Sequence, residues 1–207
     1  MLAALLALVF ATGFLALPRL GGGWFWDFGN GLGFVAFAGL LFQMIPCRRG
    51  ATLIRHEWLG YAVLALVMAH AFWLLAGDGA VRFYLLPGAP LHMWLGLAAT
   101  VALAVLTLLA RMPDRRRLHR DYARFRQVHR WLGLGLVLAA GLHIALSGFY
   151  LPRWWQGAAL LALALAASLG RRQWARLGAP PAASARAFLA WGALALAVFL
   201  LIRDAAP

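Results

Sequence analysis

The chain has no lysine, and only six carboxylate side chains stand against nineteen arginines. Charged residues make up 12% of the 207 and hydrophobic ones 64%, with a mean hydropathy of +0.80. A soluble domain averages about a quarter charged residues. So little charge cannot cover a water-facing surface, which excludes a soluble domain and makes the chain an integral membrane protein in a lipid bilayer. The strict alternation of a β-barrel is also missing, leaving helices as the way to satisfy the backbone in hydrocarbon. A net charge of +13 would point a soluble protein toward nucleic acid. Here the arginines cluster in a few connections, so the charge reads as topology and nucleic acid is not a partner. Cysteine is nearly absent: Cys47 alone excludes an internal disulfide, and beside Arg48 it reads as a small residue at a membrane edge. A basic leader is lacking and no clear small-residue cleavage site precedes Pro18, so Met1–Leu17 reads as a retained span rather than a cleaved signal peptide.

Seven apolar segments follow one another, at roughly 2–17, 31–46, 56–75, 91–110, 128–151, 154–170 and 187–202. They predict an all-α bundle of six to seven transmembrane helices forming a single domain over 1–207, several of them short for a lone span. None holds an arginine or carboxylate in its middle, where each charge costs at least ~2.5–3.5 kcal/mol. Prolines fall in connections or at span edges, where the helical ladder has already ended. Fifteen of the nineteen arginines lie in the connections at 47–55, 111–130 and 171–186, and four (Arg19, Arg82, Arg153, Arg203) on the other side. The positive-inside rule then makes the first set cytoplasmic, with the N-terminus inside, and predicts a multi-pass protein of the cell's inner (plasma) membrane. The outer connections carry Trp24, Phe25, Trp26, Phe28, Phe83, Tyr84, Trp154 and Trp155, an interfacial aromatic belt.

Chemistry is concentrated in histidine. His56 and His70 stand fourteen residues apart, and so do His129 and His143. Fourteen steps of about 100° fall roughly 40° short of four turns, so each pair shares a helix face, about 21 Å apart along the axis. Two such helices face to face form two histidine pairs at two depths. An ionisable group inside a span is a candidate for function and needs a partner. Haem iron accepts one imidazole from each side, which this pattern supplies twice. Zinc fits less well because it wants three or four ligands at one point. A proton relay is weaker because no buried carboxylate accompanies the histidines. Gly60, Gly133, Gly135 and Gly141 on these helices would let a flat macrocycle or a backbone approach. Arg55 and Arg130 adjoin the inner histidines and are candidates to pair with haem propionates, as are Arg48 and Arg49 nearby; positive-inside residues would look the same. His92 opens a third short motif, His92-Met93-Trp94-Leu95-Gly96, but fourteen residues on stands Leu106. It reads as an interfacial residue near the outer pair. His119, within a run of arginines, reads as solvated surface.

The pairs His56/His70 and His129/His143, with the lead-in Tyr122-Ala-Arg-Phe125-Arg-Gln-Val128-His129, resemble the ferric reductase-like transmembrane domain. That superfamily includes NADPH oxidases, ferric reductases and the haem subunit of periplasmic methionine sulfoxide reductases. Gly31–Arg49, ending Ile45-Pro46 and then basic, is similar to the family's preceding span. The resemblance covers about residues 30–170, the first and last spans being less diagnostic. It implies two b-type haems, an inner one between His56 and His129 and an outer one between His70 and His143. The sulfoxide reductase subunits tend to lack the inner histidine on the first ligand helix, whereas this chain has His56. The flavin and nicotinamide domain of the large oxidases has no counterpart here, since Gly31-Leu-Gly33 and Gly133-Leu-Gly135 sit in apolar helices without a preceding strand.

The expected function is transmembrane electron transfer, an oxidoreductase role with no catalytic acid or base. The donor would be a separate flavoprotein docking on the basic stretch around Arg115–Arg126, or membrane quinol. The acceptor would lie outside the cytoplasm, as a ferric chelate, oxygen or a redox protein. Two alternatives stay open. One is a haem-binding membrane anchor for a separate reductase such as a periplasmic methionine sulfoxide reductase; the other is a haem-free transporter or proton channel.

Overall fold

A computed structural model of the chain describes residues 1–14, 23–46, 51–111, 122–170, 173–174 and 183–204. Among the described residues seven α-helices follow in order: α1 (Leu2–Phe14), α2 (Trp24–Met44), α3 (Ala51–Gly77), α4 (Leu91–Arg111), α5 (Tyr122–Ser147), α6 (Trp154–Leu169) and α7 (Ala185–Asp204). A 3-10 helix, Gly79–Leu85, lies between α3 and α4. No strand occurs among the described residues. Five helices (α2, α3, α4, α5 and α7) are long and apolar enough to cross a bilayer; α1 and α6 are shorter. At 1.5 Å per residue these two reach only about 20 and 24 Å against a hydrocarbon core of about 30 Å.

The bundle is built round α2. Of its apolar stretch 67% is buried, against 17–22% in the other four long helices. It touches α1, α3, α5, α6 and α7, while α4 packs on α5 and α3. Its Phe34, Val35, Phe37, Ala38 and Leu41 are buried in the core, joined there by Val63 of α3, Val137 of α5, Leu160 of α6 and Phe199 of α7. Small residues set these distances. A Cβ added at Gly39 would stand 2.6 Å from Val63 and 2.7 Å from Phe188, so the helices meet there only because glycine removes the side chain. The outward faces carry Trp58, Phe72, Leu97, Val101, Leu108, Trp131, Leu194 and Leu201, all exposed. A water-facing surface of this kind would not be stable, and a lipid-facing one is.

Where helix starts depart from the apolar pattern, they come earlier. α2 starts at Trp24 instead of near 31, α3 at Ala51 instead of 56, and α5 at Tyr122 instead of 128. The Trp24–Asn30 stretch, rich in aromatics and glycine, is therefore helical; Asp27 in its first turn complements the helix dipole. The connection residues Arg19, Cys47, Arg48, Arg49, Arg115–Arg117, His119, Arg120, Arg171, Arg172 and Arg176 lie outside the described residues.

Candidate functional site

Packing of α3 against α5 through their neighbours brings the histidines together as spacing predicts. The rings of His56 and His129 have centroids 6.2 Å apart at 59°, and those of His70 and His143 are 6.5 Å apart at 77°. Two metal–imidazole bonds of about 2.0–2.1 Å, with each ring centre about 1.1–1.2 Å behind its nitrogen, put centroids about 6.2–6.6 Å apart. An edge-to-face contact between plain aromatic rings spans the same range, so separation alone does not choose between them.

Hydrogen bonding narrows the choice at the outer pair. His70 Nδ1 lies 2.7 Å from the Gly29 carbonyl of α2, and His143 Nδ1 lies 2.6 Å from the His92 carbonyl of α4. A carbonyl accepts only, so each Nδ1 must carry the proton and donate it, leaving Nε2 with a free lone pair. Metal-bound histidines are held in this way. Glycine makes the approach possible. A Cβ at Gly33 would stand 3.2 Å from His70 Nδ1, and one at Gly96 only 2.8 Å from His143 Nδ1.

The inner pair opens on a cavity of about 810 Å³ formed between α2 to α5 at their ends nearest His56 and His129. Its walls include Met44, Leu106 and Leu136, with Gly60 and Gly133 where side chains would otherwise intrude. Gln43 Nε2 donates to the His56 carbonyl at 3.0 Å and fixes the start of α3. Phe125, one turn before His129, sets its ring 5.7 Å from that imidazole. Two buried polar atoms of cavity residues, His129 Nδ1 and Ser168 Oγ, have no hydrogen-bond partner among the described residues. Such groups need an explanation, of which an absent ligand is one. The volume falls within the range of cofactor sites, about 300–1,000 Å³.

The remaining predicted residues divide. Arg130 lines the cavity, with its guanidinium 5.5 Å from the Trp131 ring centre. Arg126 lines the cavity too, while Arg55 is exposed on α3 and is not on its wall. Gly60 and Gly133 lie on the cavity wall, Gly141 packs near Leu161 and Phe37, and Gly135 faces open space. His92 sits beside the outer pair as expected, its ring 6.1 Å from that of His143, yet it is its carbonyl that makes the contact orienting His143. Among the described residues no group of three or more potential ligands could hold a bare metal ion.

One cluster escapes the sequence pattern. Asp27 and Arg203, both buried, form an ion pair of 2.8 Å, and the Tyr150 hydroxyl donates to the same Asp27 oxygen at 2.5 Å. The Arg203 guanidinium also lies 4.9 Å from the Tyr150 ring centre. Burial, and then the bond to Asp27, push the Tyr150 hydroxyl far above its ordinary range, so it stays a donor. The sequence pattern assigned Asp27 no role; it is buried, but its partners are Arg203 and Tyr150 and not a histidine. Asp27 is a structural anion tying the start of α2, the segment after α5 and the end of α7, rather than a link in a histidine relay. It also explains one outer arginine that positive-inside counting left over.

No protein-family model, curated protein or solved structure matches the chain.

Proposed function

We propose that the chain is a transmembrane electron conduit holding two b-type haems, the inner between His56 and His129 and the outer between His70 and His143. The observation that carries this is the outer pair, where both Nδ1 atoms are committed to backbone carbonyls and both Nε2 lone pairs are left for a metal, repeated as a second imidazole pair about 21 Å away along the same helices. A pair of ligands is too few for a bare ion but enough for iron whose other four positions a macrocycle fills. The likeness of these helices to the ferric reductase-like domain supports the same reading.

When bound, the haems supply one-electron chemistry at two depths of the bilayer. The chain's own residues do the rest. His70 and His143 present Nε2 because their Nδ1 atoms are committed to Gly29 and His92. Arg126 and Arg130 on the cavity wall offer cations to propionates. Met44, Leu106 and Leu136 give the inner site an apolar wall. Arginine placement orients that site toward the cytoplasm, where a separate flavoprotein or quinol would deliver electrons, with an acceptor at the opposite face in the inner membrane.

Purified protein is expected to show low-spin b-type absorbance with about two haems per chain. Replacing His56 or His129 should remove the inner haem and replacing His70 or His143 the outer. Protein without haem, or equal loss of both haems from every variant, would refute the reading. The second reading, an anchor subunit with structural haem, is separated from the first by adding reductant on one side and an impermeant oxidant on the other. An anchor would not turn over.

A further inference from the structure

The two histidine pairs differ in a way that sets their order of potential. At the outer pair both imidazoles give their Nδ1 protons to backbone carbonyls at 2.7 and 2.6 Å, short for a nitrogen–oxygen bond, whose usual length is about 2.9–3.0 Å. Each acceptor belongs to a neighbouring helix, and the residue one turn further along that helix is glycine: Gly29 with Gly33 on α2, His92 with Gly96 on α4. A helical carbonyl already accepts from the amide four residues on, and a side chain at that fourth residue would cover the spot a second donor must reach. A Cβ at Gly96 would stand 2.8 Å from His143 Nδ1 and 2.9 Å from Cε1; one at Gly33 would stand 3.2 Å from the corresponding His70 atoms. The same device is thus built twice at one end of the bundle. At the inner pair His129 lacks it: among the described residues its buried Nδ1 has no acceptor.

We propose that these carbonyl–glycine seats make the outer site the lower in reduction potential and the inner site the higher, with Gly33 and Gly96 as positioning residues. This rests on the haem reading given above. An imidazole that donates from Nδ1 is a stronger electron donor through Nε2, and it favours the oxidised iron, which carries one more positive charge. His129 receives no such help. Arg126 and Arg130 on the inner cavity wall act in the same sense by favouring the reduced form there, although exposure screens them. With haems bound, this order would hold reducing equivalents at the inner site until an acceptor at the opposite face draws them off. A membrane potential negative inside favours that outward step.

The test is an optical redox titration of the purified, haem-loaded protein, with no donor or acceptor turnover. Two one-electron transitions are expected, separated by at least a tenfold difference in oxidised-to-reduced ratio, or 59 mV. His143→Ala should abolish the lower transition and His129→Ala the higher. Gly96→Ala should raise the lower transition by up to tenfold in that ratio and leave the higher where it was. If Gly96→Ala expels the outer haem instead, the surviving transition should be the higher one. Coincident transitions, loss of the higher one with His143, or a Gly96→Ala protein with both haems and unmoved potentials would overturn the proposal while leaving the haem reading intact. Absence of haem from the wild-type protein would instead end the reading on which it rests.

Discussion

Asp27→Ala is expected to be the most damaging single replacement outside the histidines. It removes the anion shared by Arg203 and Tyr150, and the Arg203 side chain is left 3% exposed. Removing one partner of a buried ion pair costs about 3–5 kcal/mol, because the remaining charge stays desolvated and unpaired. The Arg203 Nη2 atom has no hydrogen-bond partner among the described residues even with Asp27 in place. For a chain of about 200 residues each kcal/mol shifts the midpoint by about 2–4 °C, giving a loss on the order of 10 °C. Thermal unfolding in detergent, followed by tryptophan fluorescence, measures it. The comparison that isolates the cause is the apolar replacement Asp27→Leu/Tyr150→Phe/Arg203→Met. Removing all the polar partners together should recover most of the loss, since buried pairs are often no better than well-packed apolar residues. The effect should also reach the site. Gly29, two residues after Asp27, holds His70 through its carbonyl, so Asp27→Ala should weaken outer haem retention and spare the inner. A shift below about 2 °C would refute the argument, as would a triple variant no more stable than Asp27→Ala.

Three further outcomes follow from the packing and the topology. Gln43→Leu removes the donor to the His56 carbonyl; it should cost about 1 kcal/mol and lower inner haem occupancy, measured as haem per chain, without touching the outer. Gly39→Leu drives a side chain into Val63 and Phe188 and should cost at least about 1–3 kcal/mol, read as lost thermal stability or failure to accumulate in the membrane. With Cys47 replaced by alanine, a cysteine introduced at the exposed Arg82 should react with an impermeant thiol reagent from outside intact cells. One at the exposed Arg126 should react only after lysis; the reverse would invert the topology.

Spacing made the four histidines legible because a helix converts a fourteen-residue interval into a fixed direction, and two equal intervals can meet only in register. The class of fold was legible for a similar reason, since a bilayer admits few ways to satisfy a backbone. Helix starts were less so. Trp24–Asn30 reads as a loop by composition, but tertiary contacts keep it helical: Trp73 Nε1 donates to the Phe25 carbonyl and its ring stacks on Phe25 at 5.4 Å. The Asp27–Tyr150–Arg203 cluster had no local signal at all. Tyr150 follows Asp27 by 123 positions, and nothing in one sequence says which distant charges will share a buried point.

His92-Met93-Trp94-Leu95-Gly96 shows where a motif was visible and its meaning was not. Taken as a ligand motif it is incomplete, because Leu106 stands where a second histidine would be. In the fold its two ends do different work: the His92 carbonyl receives the His143 proton, and Gly96 keeps the way clear. Neither role belongs to the side chain that draws the eye. Gly29 and Gly33 repeat the arrangement on α2 with no histidine in the motif at all. The element that recurs is therefore a carbonyl with glycine one turn beyond it, facing a histidine on the next helix. A search for that pairing across helices, rather than for histidine alone, would separate imidazoles oriented to bind a metal from imidazoles that are merely packed.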